Sequence, residues 1–169
     1  MILVAIGANL PGPAGSPRAQ CEAALALLEE AGIAVTRRSR WFESAPMPPS
    51  AQPWFVNGVV ALRTTLGPVP LLAELHRIEA ALGRMRTVPN AARTIDLDLL
   101  DYDGIVRPGP EPPILPHPRM HERRFVLLPL ADIAADWRHP VTGRTVAELA
   151  AEAPPEDIAR PLAASQMDD

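Results

Sequence analysis

Lysine is missing from this 169-residue chain; all 16 of its basic residues are arginine. That absence excludes a P-loop NTPase, a protein kinase and a Schiff-base enzyme, each of which needs a lysine at a fixed place. If phosphate is handled here, arginine and metal must handle it. Cysteine is scarce as well: Cys21 stands alone, so no internal disulfide is possible, and a reducing cytoplasm is the expected compartment. No apolar run approaches the ~20 residues that a membrane span requires, so no membrane association is expected. Residues 1–7 lack a basic leader and read as a first strand, not a signal peptide. The four histidines and the lone cysteine show no zinc spacing. No Gly-x-Gly-x-x-Gly, Gly-x-Ser-x-Gly or Cys-x-x-Cys occurs, which leaves Rossmann, hydrolase-elbow and redox readings without support. A net charge of −4 argues against general nucleic-acid binding.

What is present suits one domain, expected over residues 1–153, with a mobile polar tail over 154–169. Proline is abundant at 21 residues, clustered at 46–53, 108–118 and 154–161, where stiff loops are expected. Residues 2–6 are apolar and fit a buried strand. Ser16 and Pro17 open a helix as N-cap and first helical residue. Cys21, Ala24, Leu25 and Leu28 share its apolar face, and Gly32 ends it. Strands are expected over 33–42 and 54–65, a helix over 68–82 stopped by Gly83, and a strand over 94–101. The order β-α-β-β-α-β is the ferredoxin-like arrangement. A short helix is expected near 122–134. Another starts at Thr145, with Glu148 completing a capping box.

The sharpest chemical feature is Arg93-Thr94-Ile95-Asp96-Leu97-Asp98-Leu99-Leu100. Side chains alternate along a strand, so Asp96 and Asp98 share a face, with Cα atoms roughly 6–7 Å apart. Ile95, Leu97 and Leu99 point the other way, into the core. Two carboxylates so placed can share one Mg²⁺ or bracket two, and hard oxygen ligands favour Mg²⁺ over zinc. Asp-x-Asp by itself also fits the wet face of a half-buried strand. Gly83-Arg84-Met85-Arg86 and Arg93 shift the balance, because arginine binds phosphate oxygens bidentately and keeps its charge. Arginine with Mg²⁺ is the equipment of phosphoryl transfer. Surface ion pairing, such as Arg86 with Asp101, is the plainer use of the same arginines. His117 and Arg123, in a third basic cluster, offer further polyphosphate contacts.

Taken in order, Ala5-Ile6-Gly7-Ala8-Asn9-Leu10, Ser44-Ala45-Pro46, Phe55-Val56-Asn57, Arg77-Ile78-Glu79, Gly83-Arg84-Met85-Arg86, Arg93 to Asp98, Pro116-His117-Pro118 and Arg123-Arg124-Phe125 resemble the 6-hydroxymethyl-dihydropterin pyrophosphokinase family of folate biosynthesis. The resemblance runs from Val4 to about Leu130. It implies an α+β fold in which the ferredoxin-like core is elaborated into a three-layer α/β/α sandwich around a mainly antiparallel sheet. It also implies transfer of the β,γ-pyrophosphoryl group of ATP to the pterin's hydroxymethyl oxygen, with release of AMP. Asp96 and Asp98 would then hold two Mg²⁺ ions, with Arg84 and Arg93 as the catalytic phosphate clamp. His76, Glu79, Arg86, Leu99, His117 and Arg123 fall at nucleotide-binding positions. The pterin would lie between Phe55 and Phe125, with Asn57 and Ser44 bonding its edge and backbone groups near Ala45 and Met47 adding to it. A monomer with small-molecule substrates is expected.

The chain departs from the family pattern between Arg86 and Arg93. Thr87-Val88-Pro89-Asn90-Ala91-Ala92 puts Pro89 where a basic residue is usual. His76 stands where glutamine is frequent, and Phe55 where tyrosine is. Two other functions compete on the residues alone. A non-catalytic ligand-binding module would bind a small molecule without consuming nucleotide. A nucleotidyltransferase, which also uses paired aspartates, would release pyrophosphate.

Overall fold

The structure, a computed structural model, describes residues 1–85 and 92–163. Its strands are β1 (Ile2–Ala8), β2 (Ala34–Arg38), β3 (Phe42–Ser44), β4 (Phe55–Arg63), β5 (Asp96–Tyr102) and β6 (Ala159–Pro161). Helices are α1 (Pro17–Glu30), α2 (Pro68–Ala81), α3 (Arg124–Ile133) and α4 (Val146–Glu152), with a 3-10 turn at Met120–Glu122. The fold is α+β, around one open sheet. Strands run in the order β5-β1-β4-β3-β6, with β2 also on β4, and every pairing is antiparallel.

Alternation along β1 divides the core. Ile2, Val4, Ile6 and Ala8 pack beneath α1 and α2, together with Leu97 and Leu99 of β5. Leu3 faces the other way, against Val126, Leu127 and Leu130 of α3 and Val146 and Leu149 of α4. Helices therefore cover both faces of the sheet. The helix starts follow the sequence signals: Ser16 Oγ accepts from Ala19 N at 3.1 Å, and Pro17 follows it. Thr145 Oγ1 accepts from Glu148 N at 3.1 Å. The other half of the expected capping box is not made, because the Glu148 carboxylate accepts from Arg144 at 2.8 Å.

The strand expected over 33–42 is broken at residues 39–41. Trp41 leaves the sheet to enter the core, donating its indole N–H to Glu22 at 2.8 Å. Ser39 fills the gap, its hydroxyl accepting from Val59 N at 3.0 Å. The helix expected over 122–134 begins as the 3-10 turn and is α-helical only from Arg124. Within the expected mobile tail, Ala159–Pro161 instead pairs with β3, where Ala45 N donates to Ile158 O at 3.1 Å. Asp157 just before it is buried. Residues 164–169 lie outside the described residues, as do Arg86 and the Thr87–Ala91 part of the expected loop.

Candidate active site

A cavity of about 290 Å³ is lined by residues of β1, β3, β4 and β5 and by the start of α3. Its floor is made by small residues of the central strands, Ala5 and Gly7 on β1. A Cβ on Gly7 would stand 3.1 Å from the Asn57 amide nitrogen, so glycine there lets the neighbouring strand present that amide. One end of the cavity holds Arg93, Asp96, Asp98 and Arg123. The other holds Ser44, Ala45, Met47, Phe55, Asn57 and Phe125.

The charged end is built where the chain leaves α2 and where it enters β5. α2 ends at Ala81, and Gly83 adopts φ +87°, a left-handed turn that glycine allows without strain. This turn directs Arg84 back over β5, where Nη1 donates to Asp96 Oδ1 at 2.5 Å and also to the Glu79 carboxylate. Arg93 Nη1 donates to Asp96 Oδ2 at 2.7 Å. Glu79 is buried, and its Oε2 accepts from Leu97 N at 2.9 Å, so it fixes Arg84 to the strand from below. Asp98 pairs with Ala5 through the strand backbone, and its carboxylate makes no hydrogen bond or ion pair among the described residues.

The two aspartates consequently differ in charge behaviour. Burial pushes both carboxyls up. At Asp96 the two guanidinium groups outweigh burial and hold the group below its ordinary value. At Asp98 burial and then the negative charge of Asp96 push it up to about 7. A carboxylate raised this way, facing a cavity beside another carboxylate, gains from a cation. Among the described residues no group of three or more His, Cys, Asp or Glu side chains is placed to hold a metal. Asp96 and Asp98 alone would leave most of a coordination shell to water and to a substrate's oxygens, which is the habit of Mg²⁺. The donor set fits that ion.

The other end offers a flat, polar-edged slot. Asn57 is buried, and its side-chain oxygen accepts from the Ser44 hydroxyl. Its amide nitrogen is left to face the cavity. Phe55 and Phe125 are half-buried walls, and the Arg123 guanidinium stands 5.5 Å from the centroid of the Phe125 ring. Aromatic faces with an amide edge suit a planar heterocycle.

Of the described residues expected at nucleotide positions, only Arg123 lines this cavity. Glu79 lies beneath Arg84, and the Leu99 side chain is packed in the core. His76 is exposed on α2, and Arg86 lies outside the described residues. His117 is half-buried beyond β5: its main-chain N–H donates to Leu100 O at 2.8 Å and its side-chain Nδ1 accepts from Arg119 N at 3.1 Å. Burial first, then the charge of Arg123, lowers the imidazole to about 4, so it is neutral at pH 7.

Two buried amides organise the site without having been singled out in the sequence. Asn9 Oδ1 accepts from Arg93 N at 2.8 Å, and its Nδ2 donates to Gln52 Oε1 at 3.1 Å and to Pro53 O at 3.0 Å. It ties the arginine end to the wall opposite. Gln20 Nε2 donates to Leu82 O at 2.8 Å and to Thr94 O at 3.0 Å, while its Oε1 accepts from Ala14 N at 2.8 Å. One side chain thus grips both ends of the segment that carries Arg84 and Arg93. Asn9 was within reach of sequence reading, as part of the run Ala5 to Leu10 and the first residue beyond the first strand. Gln20 gave no signal beyond a polar residue one position before the apolar face of α1.

Fold and cleft together define an α+β protein whose one cavity joins arginines and paired carboxylates at one end to aromatic walls and an amide edge at the other. Residues 3–135 match the family described as 7,8-dihydro-6-hydroxymethylpterin-pyrophosphokinase (HPPK). The chain is 42% identical over 159 residues to the 2-amino-4-hydroxy-6-hydroxymethyldihydropteridine pyrophosphokinase of Pseudomonas aeruginosa, covering 94% of this chain and 95% of that protein. It is 46% identical over 116 residues to the folic acid synthesis protein fol1 of Pneumocystis carinii, which is 69% of this chain but only 16% of that much longer protein. A crystal structure of Plasmodium falciparum HPPK-DHPS shares the fold, with a TM-score of 0.66 at 15% identity, over 89% of this chain and 44% of that one. The chain belongs to the HPPK family.

Proposed function

We propose that this chain transfers the pyrophosphoryl group of ATP to 6-hydroxymethyl-dihydropterin, giving AMP and the pterin diphosphate, as a step of folate synthesis. The observation that carries this reading is the continuity of one cavity: arginine and paired carboxylates at one end, aromatic walls and an amide edge at the other. The family match adds the identity of the two substrates. We also read the strand order as a ferredoxin-like core, with helices on both faces making a three-layer sandwich.

In this reading Phe55 and Phe125 sandwich the pterin, and Asn57 and Ser44 select its edge by hydrogen bonds that an analogue lacking them would leave unmade. The hydroxymethyl oxygen is thereby aimed at the β-phosphorus. That oxygen bonds to the β-phosphorus as the bond to the α,β-bridging oxygen breaks. AMP leaves with the bridging oxygen, and the hydroxyl proton passes to water or to a phosphate oxygen. Mg²⁺ held by Asp96 and Asp98 would neutralise charge on the triphosphate. Arg84 and Arg93 add fixed positive charge where negative charge develops, and their anchors on Glu79, Asp96 and Asn9 spare the cost of reorganising them during the reaction.

The test is product identity. With ATP, Mg²⁺ and hydroxymethyl-dihydropterin the chain releases AMP; ADP or pyrophosphate as the product would overturn the reading. Asp96→Ala abolishes turnover while circular dichroism shows the fold retained, and near-normal turnover in that variant would remove the metal assignment.

A further inference from the structure

We propose that Asp157 is a positioning residue for the pterin end of the cavity, acting from the C-terminal segment through the start of α3. The proposal rests on the pterin reading of that cavity. α3 opens at Arg124, and the residue at its N-cap, Arg123, makes no side-chain cap. The missing acceptor comes from far along the chain. Asp157 Oδ2 accepts from Arg124 N at 2.8 Å, and Asp157 is only 2% exposed. Arg124 lies between Arg123 and Phe125, both of which line the cavity. Capping at this point therefore fixes the backbone from which one wall projects.

The next residues of the same segment hold the opposite wall. Ile158 O accepts from Ala45 N at 3.1 Å, and Ala159 is the partner of Ser44 in the sheet. Three consecutive residues thus join the Phe125 side of the slot to its Ser44 and Ala45 side. The joint lies outside residues 3–135, where the family match ends. Behind Phe125 a second hollow of about 200 Å³ is lined by Met47, Arg123, Phe125, Pro154 and Asp157. It is space into which the wall would recede once the anchor is lost. Asp157 sets the width of the slot, and so governs pterin affinity more than the chemical step.

Full-length Asp157→Ala and Asp157→Asn are compared with the parent chain. Removing the cap raises the KM for the pterin about tenfold, the size of a typical cap loss, while kcat and the KM for ATP stay within about threefold. Asp157→Asn recovers most of the loss, because its amide oxygen still accepts from Arg124 N. Should Asp157→Ala fail to fold, Asp157→Ser, whose shorter side chain withdraws the acceptor, takes its place. A pterin KM that stays near the parent value, an asparagine variant no better than the alanine one, or a loss confined to kcat and thermal stability overturns the proposal. Hydrogen exchange is measured alongside, without substrates. Faster exchange confined to the first turn of α3 and to Ala45 supports the anchor, and unchanged exchange there refutes it. A parent chain that makes no AMP refutes the functional reading instead, and the exchange result still decides whether Asp157 joins the two walls.

Discussion

Replacing Gln20 by leucine keeps the volume of the side chain and removes every hydrogen bond it makes. Three main-chain groups lose their partner: Leu82 O, Thr94 O and Ala14 N. Gln20 is fully buried, and its bond to Leu82 O is buried as well. That carbonyl bears the full cost of an unsatisfied buried acceptor, about 1–3 kcal/mol, whereas the other two groups are part-buried and recover some of theirs from water. The sum is about 3 kcal/mol of stability. For a chain of this size each kcal/mol shifts Tm by roughly 2–4 °C, so the expected drop is about 6–12 °C. The amide is closely packed there, since a Cβ on Gly12 would lie only 2.4 Å from Gln20 Nε2. Turnover should fall further than stability alone explains, since Leu82 and Thr94 bracket the segment carrying Arg84 and Arg93. Urea denaturation gives the stability change, and AMP release measured well below the new transition gives the activity. A loss under about 1 kcal/mol with unchanged turnover would refute the view that one amide sets both ends of that segment.

Two further outcomes follow from the packing and the charges. Gly58→Ala places a Cβ 2.6 Å from the Trp41 ring, whose indole is pinned by Glu22; overpacking of this kind costs about 1–3 kcal/mol, and an unchanged denaturation midpoint would show that Trp41 can yield. The imidazole of His117 is lowered from its ordinary 6.5 to about 4. The unfolded chain therefore takes up a proton below pH 6.5 that the folded chain refuses until about pH 4. Stability falls as pH drops through that window, by at most ~1.4 kcal/mol per pH unit from this group. His117→Asn flattens that part of the curve, and an identical pH dependence in the variant would contradict the assignment.

The periodic parts of the fold were legible in the sequence because they are local. The apolar run over residues 2–6, the face Cys21, Ala24, Leu25 and Leu28, and the alternation placing Asp96 and Asp98 opposite Leu97 and Leu99 all require only neighbours along the chain. What escaped was decided by partners distant in sequence. Trp41 breaks the second strand because Glu22 and the bare backbone of Gly58 receive it. Asp157 looks like one more acidic residue in a proline-containing tail until Arg124 N is brought to it. The burial of Glu79 under Arg84 and its bond to Leu97 N join residues 5 and 18 positions apart in the chain. The roles of Gln20 and Asn9 depend on carbonyls and amides that every sequence contains and none advertises.

The short strand β6 has a bearing on how the molecule behaves in a crowded solution. Ile158 O and Leu162 N both point toward β3, so residues 159 and 161 turn their main-chain groups outward. The second of these is Pro161, which has no N–H to offer. A stray extended peptide arriving at this border meets a single main-chain donor, from Ala159, flanked by the ion pair of Arg160 with Glu43. The sheet ends in a blunt margin that gives little purchase to another chain, which is the usual protection against edge-to-edge polymerisation.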